Sequence, residues 1–199
     1  MRPRSGRVGR RAVSSEVWEA VNENWRTVKD WRRRAGSEPE LAGVLSLMRQ
    51  QSALVRGAMH GSMLRNDIFD FARIGTFLER ADNTARILDV QYYVLLPSLS
   101  QIGSSLDNVQ WESILRSVSA HRSYGWVYDE DYNPVNIADF LILNGRMPRS
   151  LAYCYHKINA NLGYLSREYG SSHDAHRTAA RIQGMLDDRE IRQIVDSGL

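Results

Sequence analysis

The sequence has little of what would indicate a secreted, membrane-spanning or cysteine-rich protein. Its 199 residues include one cysteine, Cys154, which excludes an internal disulfide and any metal site built from several cysteines. No run of apolar residues approaches the ~18 that a membrane-spanning helix needs. There are only five prolines, and no segment shows the strict apolar–polar alternation of strands. These absences predict a helical protein of the cytoplasm that does not enter a membrane.

The positive charge of the chain is concentrated at its start. The formal net charge is +3, but residues 1–11 contain five arginines and no acidic residue, so they carry +5 and the remainder −2. The segment lacks the apolar stretch of a secretory signal. We therefore expect residues 1–11 to form a disordered basic tail and residues 12–199 to form one helical domain. The alternative for the tail is an arm that binds nucleic acid or an anionic surface.

Apolar residues recur at helical spacing over most of the chain beyond this basic segment. The longest regular segment spans residues 67–96 and ends at Pro97, which cannot continue a helix. Asn133-Pro134 is typical of a helix start, and Gly170 is typical of a helix end. Residues 124–133 show no helical pattern, and we expect them to be irregular. The whole pattern predicts an all-α protein, a mainly antiparallel helical bundle of about eight helices.

The long segment over residues 67–96 carries the most informative polar pattern. Its apolar side on a helical wheel consists of Ile74, Leu78, Ala81, Ala85, Leu88 and Tyr92. Glu79, Asn83 and Arg86 lie in one line on the other side, at i, i+4 and i+7. One interpretation is a solvated face with stabilising pairs of ~0.2–0.5 kcal/mol each. The other is a polar groove between helices, where arginine holds a carboxylate or phosphate with two hydrogen bonds.

Other residues that could carry chemistry give weaker signals. Cys154 lies among apolar residues of a predicted helix, which indicates a small buried hydrophobe. His173 and His176 have the i, i+3 spacing of a metal pair but no carboxylate at matched spacing, so we predict no metal site. The acidic residues at 129–131 are typical of a solvated loop. The sequence has no phosphate-binding glycine loop, zinc-binding His-Glu-x-x-His or nucleophile elbow. It therefore predicts no catalytic residue and no cofactor.

Several short segments together carry a resemblance to a known family. In the long predicted helix they are residues 77–82 (FLERAD), 84–86 (TAR), 88–90 (LDV) and 95–97 (LLP). Elsewhere they are residues 15–22 (SEVWEAVN), 138–141 (ADFL) and 148–150 (PRS). These segments resemble those of the alpha-E domain family, a bacterial all-α family with a Glu-Arg motif. The resemblance runs from about residue 11 to the end, and the Glu-Arg segment taken together with Pro-Arg-Ser is its most specific part.

The resemblance implies a function as well as a fold. Family members are associated with circularly permuted ATP-grasp proteins and with transglutaminase-like proteins. This implies an accessory or interaction module for an ATP-grasp amide ligase that makes or modifies peptides. The residues expected to bind a partner helix or a peptide substrate are Glu79, Arg80, Asn83, Arg86 and Arg149.

Two alternatives to an accessory module remain open. The chain could be an enzyme that acts on amide or peptide bonds, with Glu79 as acid or base in a closed groove. The less favoured alternative is an anionic-polymer binder that uses the tail and the basic cluster at residues 26–34.

The chain also departs from the family pattern. Members typically carry two Glu-Arg helices, whereas this sequence contains one Glu-Arg dipeptide, Glu79-Arg80. Compared with the family, we expect a chain truncated at both ends. A helix face left without its partner would favour self-association, because exposed apolar surface tends to be covered.

Overall fold

The computed structural model describes residues 12–34, 38–95, 105–129 and 132–191. These ranges form eight helices and no strand. The helices are α1 (Ser15–Arg34), α2 (Glu38–Ser62), α3 (Asp67–Leu95), α4 (Ser105–Ser117), α5 (His121–Tyr128), α6 (Pro134–Ile142), α7 (Leu151–Tyr169) and α8 (Asp174–Asp187). The predicted all-α helical bundle is thereby confirmed.

The helices do not decide two parts of the predicted organisation, the basic tail and the single domain. The predicted basic tail, residues 1–11, lies outside the described residues. The single domain expected over residues 12–199 stays a prediction. The chain divides into two compact units, Met1–Phe69 and Asp70–Leu199. Within the described ranges, no helix has both the length and the hydropathy that crossing a membrane requires.

The first unit consists mainly of a hairpin of α1 and α2. Two long helices joined by a short connection pack side by side in opposite directions. The Ser14 hydroxyl accepts the Val17 N–H at 3.3 Å, which caps α1, and it forms a 2.5 Å hydrogen bond with the Ser62 hydroxyl at the end of α2. The buried cluster of this unit consists of Val17, Met59, Met63 and Phe69.

The second unit contains most of α3 and all of α4–α8, packed around two buried clusters. The larger cluster is built mainly from α4, α5 and α6, and includes Leu88 of α3. The smaller cluster lies between α3, α7 and α8 and includes Phe77, Cys154 and Ala179. Because α3 contributes to both clusters, its orientation determines which of its polar residues face α4.

The buried face of α3 differs from the predicted one. Its buried residues are Phe69, Asp70, Phe77, Ala81, Thr84 and Leu88. Leu78 and Ala85, which were predicted to lie on the apolar side, are exposed. The prediction was wrong for these two residues; it counted apolar residues only and so did not include Thr84, which is buried. The hydroxyl of Thr84 finds a hydrogen-bond acceptor inside the protein, so its burial carries no unpaired polar group.

Helix α5 occupies part of the stretch that we predicted to be irregular. Its Tyr124 is completely buried and stacks on the rings of Tyr128 and Tyr132, at 4.9 and 5.9 Å between centroids. This packing stabilises a helix that the local sequence does not indicate, since intrinsic propensity is a weak determinant beside tertiary contacts. The predicted ends at Asn133 and Gly170 are confirmed: Asn133 caps α6, and Gly170 ends α7 with φ +64°.

Candidate functional site

The turn before α7, residues 144–150, is held by a set of short polar contacts. The Asn144 side-chain oxygen accepts the N–H groups of Arg146 and Met147, at 2.9 and 3.0 Å. The Ser150 hydroxyl donates to the Asn144 carbonyl at 2.5 Å and accepts the Tyr153 N–H at 3.0 Å, which caps α7. Ser150 is completely buried. These bonds close the turn on itself and restrict its backbone.

A part-buried hydrogen bond joins this turn to α3. Thr84 is 0% exposed, and its hydroxyl donates to the Arg149 carbonyl at 2.8 Å. One turn earlier on α3, Arg80 Nη1 lies 3.5 Å from the Pro148 carbonyl oxygen. The Glu-Arg and Pro-Arg-Ser segments, 65 residues apart at the Thr84–Arg149 contact, therefore pack against each other.

An open cavity of about 500 Å³ lies between α3, α4 and the turn, and we call it the α3–α4 groove. Three of the predicted site residues line it, namely Asn83, Arg86 and Arg149. The remaining lining residues are Ile87, Ser113, Ile114, Ser117 and Val118. Ile114 and Val118 are buried and form an apolar floor, whereas the two serines are exposed. The groove thus combines two cations, an amide, two hydroxyls and apolar surface.

The two arginines of the groove differ in their partners. Arg86 donates from Nε to the Asp82 carboxylate at 2.8 Å, and this hydrogen bond and the opposite charge raise the pKa of Arg86. Both side chains are exposed, so the pair contributes little to stability. Arg149 is half-buried, and its guanidinium makes no hydrogen bond or ion pair with any described residue. With respect to the described residues, the donors of Arg149 are therefore free for an anion.

Glu79 and Arg80 do not line the groove. Arg80 is half-buried and places its guanidinium carbon 5.5 Å from the centre of the Phe77 ring, a cation–π contact. Glu79 is exposed and forms no hydrogen bond or ion pair within the described residues. Glu79 is not among the described lining residues of the groove, so the geometry does not place it in the closed groove that the enzymatic alternative expects.

Cys154 is a core residue, as predicted from its apolar neighbours. It is completely buried, and its thiol lies 3.7 Å from the Pro148 carbonyl oxygen. Burial raises the pKa of Cys154 to about 11, while the positive charges of Arg80 and Arg149 act more weakly in the opposite direction. A thiol with this pKa is protonated at neutral pH, so its environment does not favour a nucleophile.

The pair His173 and His176 stabilises a helix start. The His173 N–H donates to Nδ1 of His176 at 3.0 Å, and Nε2 of His176 lies 3.1 Å from the Leu162 carbonyl oxygen. The hydrogen-bond pattern assigns the ring proton to Nε2 and leaves neither nitrogen of His176 free for a metal. Among the described residues, no three histidine, cysteine, aspartate or glutamate side chains come together in a metal-binding group.

A polar cluster between α4 and α5 was not predicted from the sequence. The Glu112 carboxylate accepts a hydrogen bond from Arg116 Nε at 2.9 Å and lies 3.1 Å from His121 Nε2. The same His121 nitrogen is 2.8 Å from the Tyr132 hydroxyl. The hydrogen bond from Arg116 is the main cause that lowers the pKa of Glu112.

The ring stack beside this cluster includes a second polar pair. The Tyr128 hydroxyl donates to the Asp139 carboxylate at 2.5 Å. Partial burial, followed by this hydrogen bond, raises the pKa of Tyr128. The sequence does contain a signal for this packing. Tyrosines recur every four residues, at Tyr124, Tyr128 and Tyr132, and this spacing is typical of side chains on one packed face.

The groove serines were also missed by the sequence analysis. Ser113 and Ser117 are four residues apart on α4 and reach the groove beside the buried Ile114. Their spacing is visible in the sequence, but serines on a helix surface are common. Only the position of α4 beside α3 in the fold shows that these two serines, unlike other surface serines, line the groove.

The first unit has a cavity of its own, with a different chemistry. It measures about 650 Å³ and lies on α1 and α2. Its charged lining residues are Glu16, Glu19, Glu23 and Arg26, so its formal charge is negative. None of the predicted site residues lines it. Lys29 and Arg32 of the basic cluster are exposed on α1, and the side chains at 33–34 lie outside the described residues.

Comparison with known proteins places this chain in a family. The Alpha-E family model, described as a predicted alpha-helical domain with a conserved ER motif, matches residues 3–199. Glu79-Arg80 on α3 is the one Glu-Arg dipeptide of the sequence. No curated protein and no solved structure matches the chain. Because the match extends over nearly the whole sequence, the chain belongs to the Alpha-E family.

Proposed function

We propose that this chain is an accessory module without catalytic activity, which works with an ATP-grasp amide ligase in the synthesis or modification of peptides in the cytoplasm. The observation that carries the proposal is the α3–α4 groove. Asn83, Arg86 and Arg149 come from two distant segments and line the same cavity. Both segments belong to the resemblance that links the chain to its family.

The chemistry of the groove supports binding better than catalysis. Its described lining residues include no histidine, cysteine or carboxylate that would serve as a general base or an activated nucleophile. Arginine, asparagine and serine side chains are instead suited to orient a polar chain. In this proposal the module holds a peptide substrate, or a helix of the ligase, near the ligase active site. A transglutaminase-like protein is a second expected partner.

The test is recovery of the ligase by the tagged full chain. We expect an ATP-grasp protein in the eluate from a nuclease-treated lysate of the source organism, identified by mass spectrometry. Arg86→Ala should reduce its recovery several-fold without loss of helicity by circular dichroism. The matched control is Arg177→Ala, since Arg177 is also an exposed helical arginine paired with a nearby aspartate, Asp174, on α8. Recovery in the control should equal that of the unmodified chain.

Three results would contradict the proposal. One is an eluate without an ATP-grasp protein, including one that contains only further copies of this chain. Another is equal recovery with Arg86→Ala. The third is turnover of peptide substrates by the isolated chain, which would favour an enzyme that acts on amide bonds.

A further inference from the structure

We infer that the α3–α4 groove binds the terminal carboxylate of a peptide-like chain, with the Arg149 guanidinium as the main contact. The inference rests on the proposed function in taking this peptide as a substrate of the partner ligase. Beyond the proposed function, the inference names a substrate class, peptide-like chains with a free terminal carboxylate, and the residue that recognises the carboxylate, Arg149. An amide ligase joins a carboxylate to an amine, so a carboxylate is a group that such a system must hold.

The charge of the groove selects an anion. Arg86 and Arg149 line it, and no acidic residue is among its described lining residues. Asp82, one turn before Arg86 on α3, has its carboxylate occupied by Arg86 at 2.8 Å. An anion in the groove would therefore meet first the guanidinium of Arg149, which no described residue engages.

The backbone that carries Arg149 is already positioned for this contact. Its carbonyl is bonded to the buried Thr84, and the next residue, Ser150, is buried and bonded on both sides. The half-buried guanidinium itself has no partner among the described residues. Arginine offers two parallel N–H donors that match the two oxygens of a carboxylate. Binding would order the Arg149 side chain but not its backbone, which is already held.

The remaining lining favours a peptide over a bare inorganic anion. Ile87, Ile114 and Val118 supply apolar surface beside the cations, which fits the side chain of a terminal residue. Asn83 and Ser113 offer donors and acceptors for peptide groups. The volume, about 500 Å³, lies within the range of small-molecule sites. Inorganic phosphate would leave both the apolar floor and the amide unused.

The experiment uses the full chain labelled with ¹⁵N at arginine, with the Nε–H signals observed by NMR. The probes, at matched ionic strength, are N-acetyl-Ala-Leu with a free carboxylate, the same dipeptide with an amidated end, and inorganic phosphate. We expect the free acid to shift the Arg149 signal in a saturable manner, the amide to leave it unchanged, and phosphate to bind at least tenfold more weakly. Arg149→Gln should weaken binding of the free acid at least tenfold.

The matched control is Arg146→Gln, which removes an exposed arginine from the same turn that does not line the groove. It should bind the free acid like the unmodified chain. Equal shifts with acid and amide, tighter binding of phosphate, or unchanged binding by Arg149→Gln would each overturn the inference. Carboxylate binding without recovery of a ligase would contradict only the proposed function. Recovery of a ligase without carboxylate binding would overturn only this inference.

Discussion

At the scale of single residues, Thr84 shows how a hydroxyl is accommodated on the buried face of a helix. It lies in the core of the second unit, where its hydroxyl donates to the Arg149 carbonyl. A valine has nearly the same shape but no donor, so Thr84→Val would leave the Arg149 carbonyl without this bond in a part-buried position. We expect the free energy of unfolding to fall by about 1–3 kcal/mol, measured by urea denaturation.

Thr76→Val is the control for this substitution. Thr76 lies on the same helix, and its hydroxyl donates at 2.9 Å to the Ala72 carbonyl one turn earlier, in an exposed position. Water can replace that bond, so the change in stability should stay within about 0.5 kcal/mol. Equal losses for the two variants would show that the part-buried bond of Thr84 contributes nothing specific.

At the scale of elements, the start of α7 depends on Ser150 more than the start of α6 depends on Asn133. Both residues cap their helices with a side-chain oxygen. Ser150 is also completely buried and donates to the Asn144 carbonyl. Ser150→Ala removes the cap and leaves that carbonyl without its donor. We therefore expect a loss of about 2–4 kcal/mol, against about 1 kcal/mol for Asn133→Ala, in thermal or urea unfolding.

The comparison of these two caps also tests the groove. Because Ser150 follows Arg149 directly, Ser150→Ala should loosen the segment that carries the guanidinium, whereas Asn133→Ala should not affect it. Equal destabilisation by the two variants would argue against a specially restrained turn at residues 144–150.

At the scale of the whole molecule, the shifted groups between α4 and α6 define a pH range of greatest stability. The pKa of Glu112 is lower in the folded protein than its ordinary value of 4.5. Its ionised form therefore stabilises the fold above that value, and the contribution is lost as the pH falls through the lower folded pKa. The pKa of Tyr128 is raised above its ordinary value of 10.0, so its neutral form is favoured in the fold. That contribution is present below pH 10.0 and is lost as the pH rises above it.

The melting temperature measured across pH tests this expectation. It should fall on the acid side below about pH 4.5 and on the alkaline side above about pH 10. Glu112→Gln should flatten the acid slope alone, and Tyr128→Phe should flatten the alkaline slope alone. If Glu112→Gln also changes the alkaline slope, or Tyr128→Phe also changes the acid slope, the assignment of one slope to each residue is wrong.

The family and the helix caps could be predicted from the sequence without the structure. The Glu-Arg and Pro-Arg-Ser segments predicted the family that the comparison confirms. The caps at Asn133 and Gly170 could be predicted because each depends on residues next to it in the chain. Helix α5 could not, since its stability comes from the rings of Tyr124, Tyr128 and Tyr132 packed inside the second unit.

The sequence by itself determined an all-α protein, because helical periodicity and capping are local properties of the chain, and its Glu-Arg and Pro-Arg-Ser segments indicated the Alpha-E family. It also identified Asn83, Arg86 and Arg149 as candidates. Only the tertiary structure decided that these three line one groove and that Glu79 and Arg80 do not. The reason is packing: α3 contributes to both buried clusters of the second unit, and Thr84 of α3 donates a hydrogen bond to the Arg149 carbonyl of the turn. A contact between residues 65 apart in sequence depends on packing, and no local pattern encodes it.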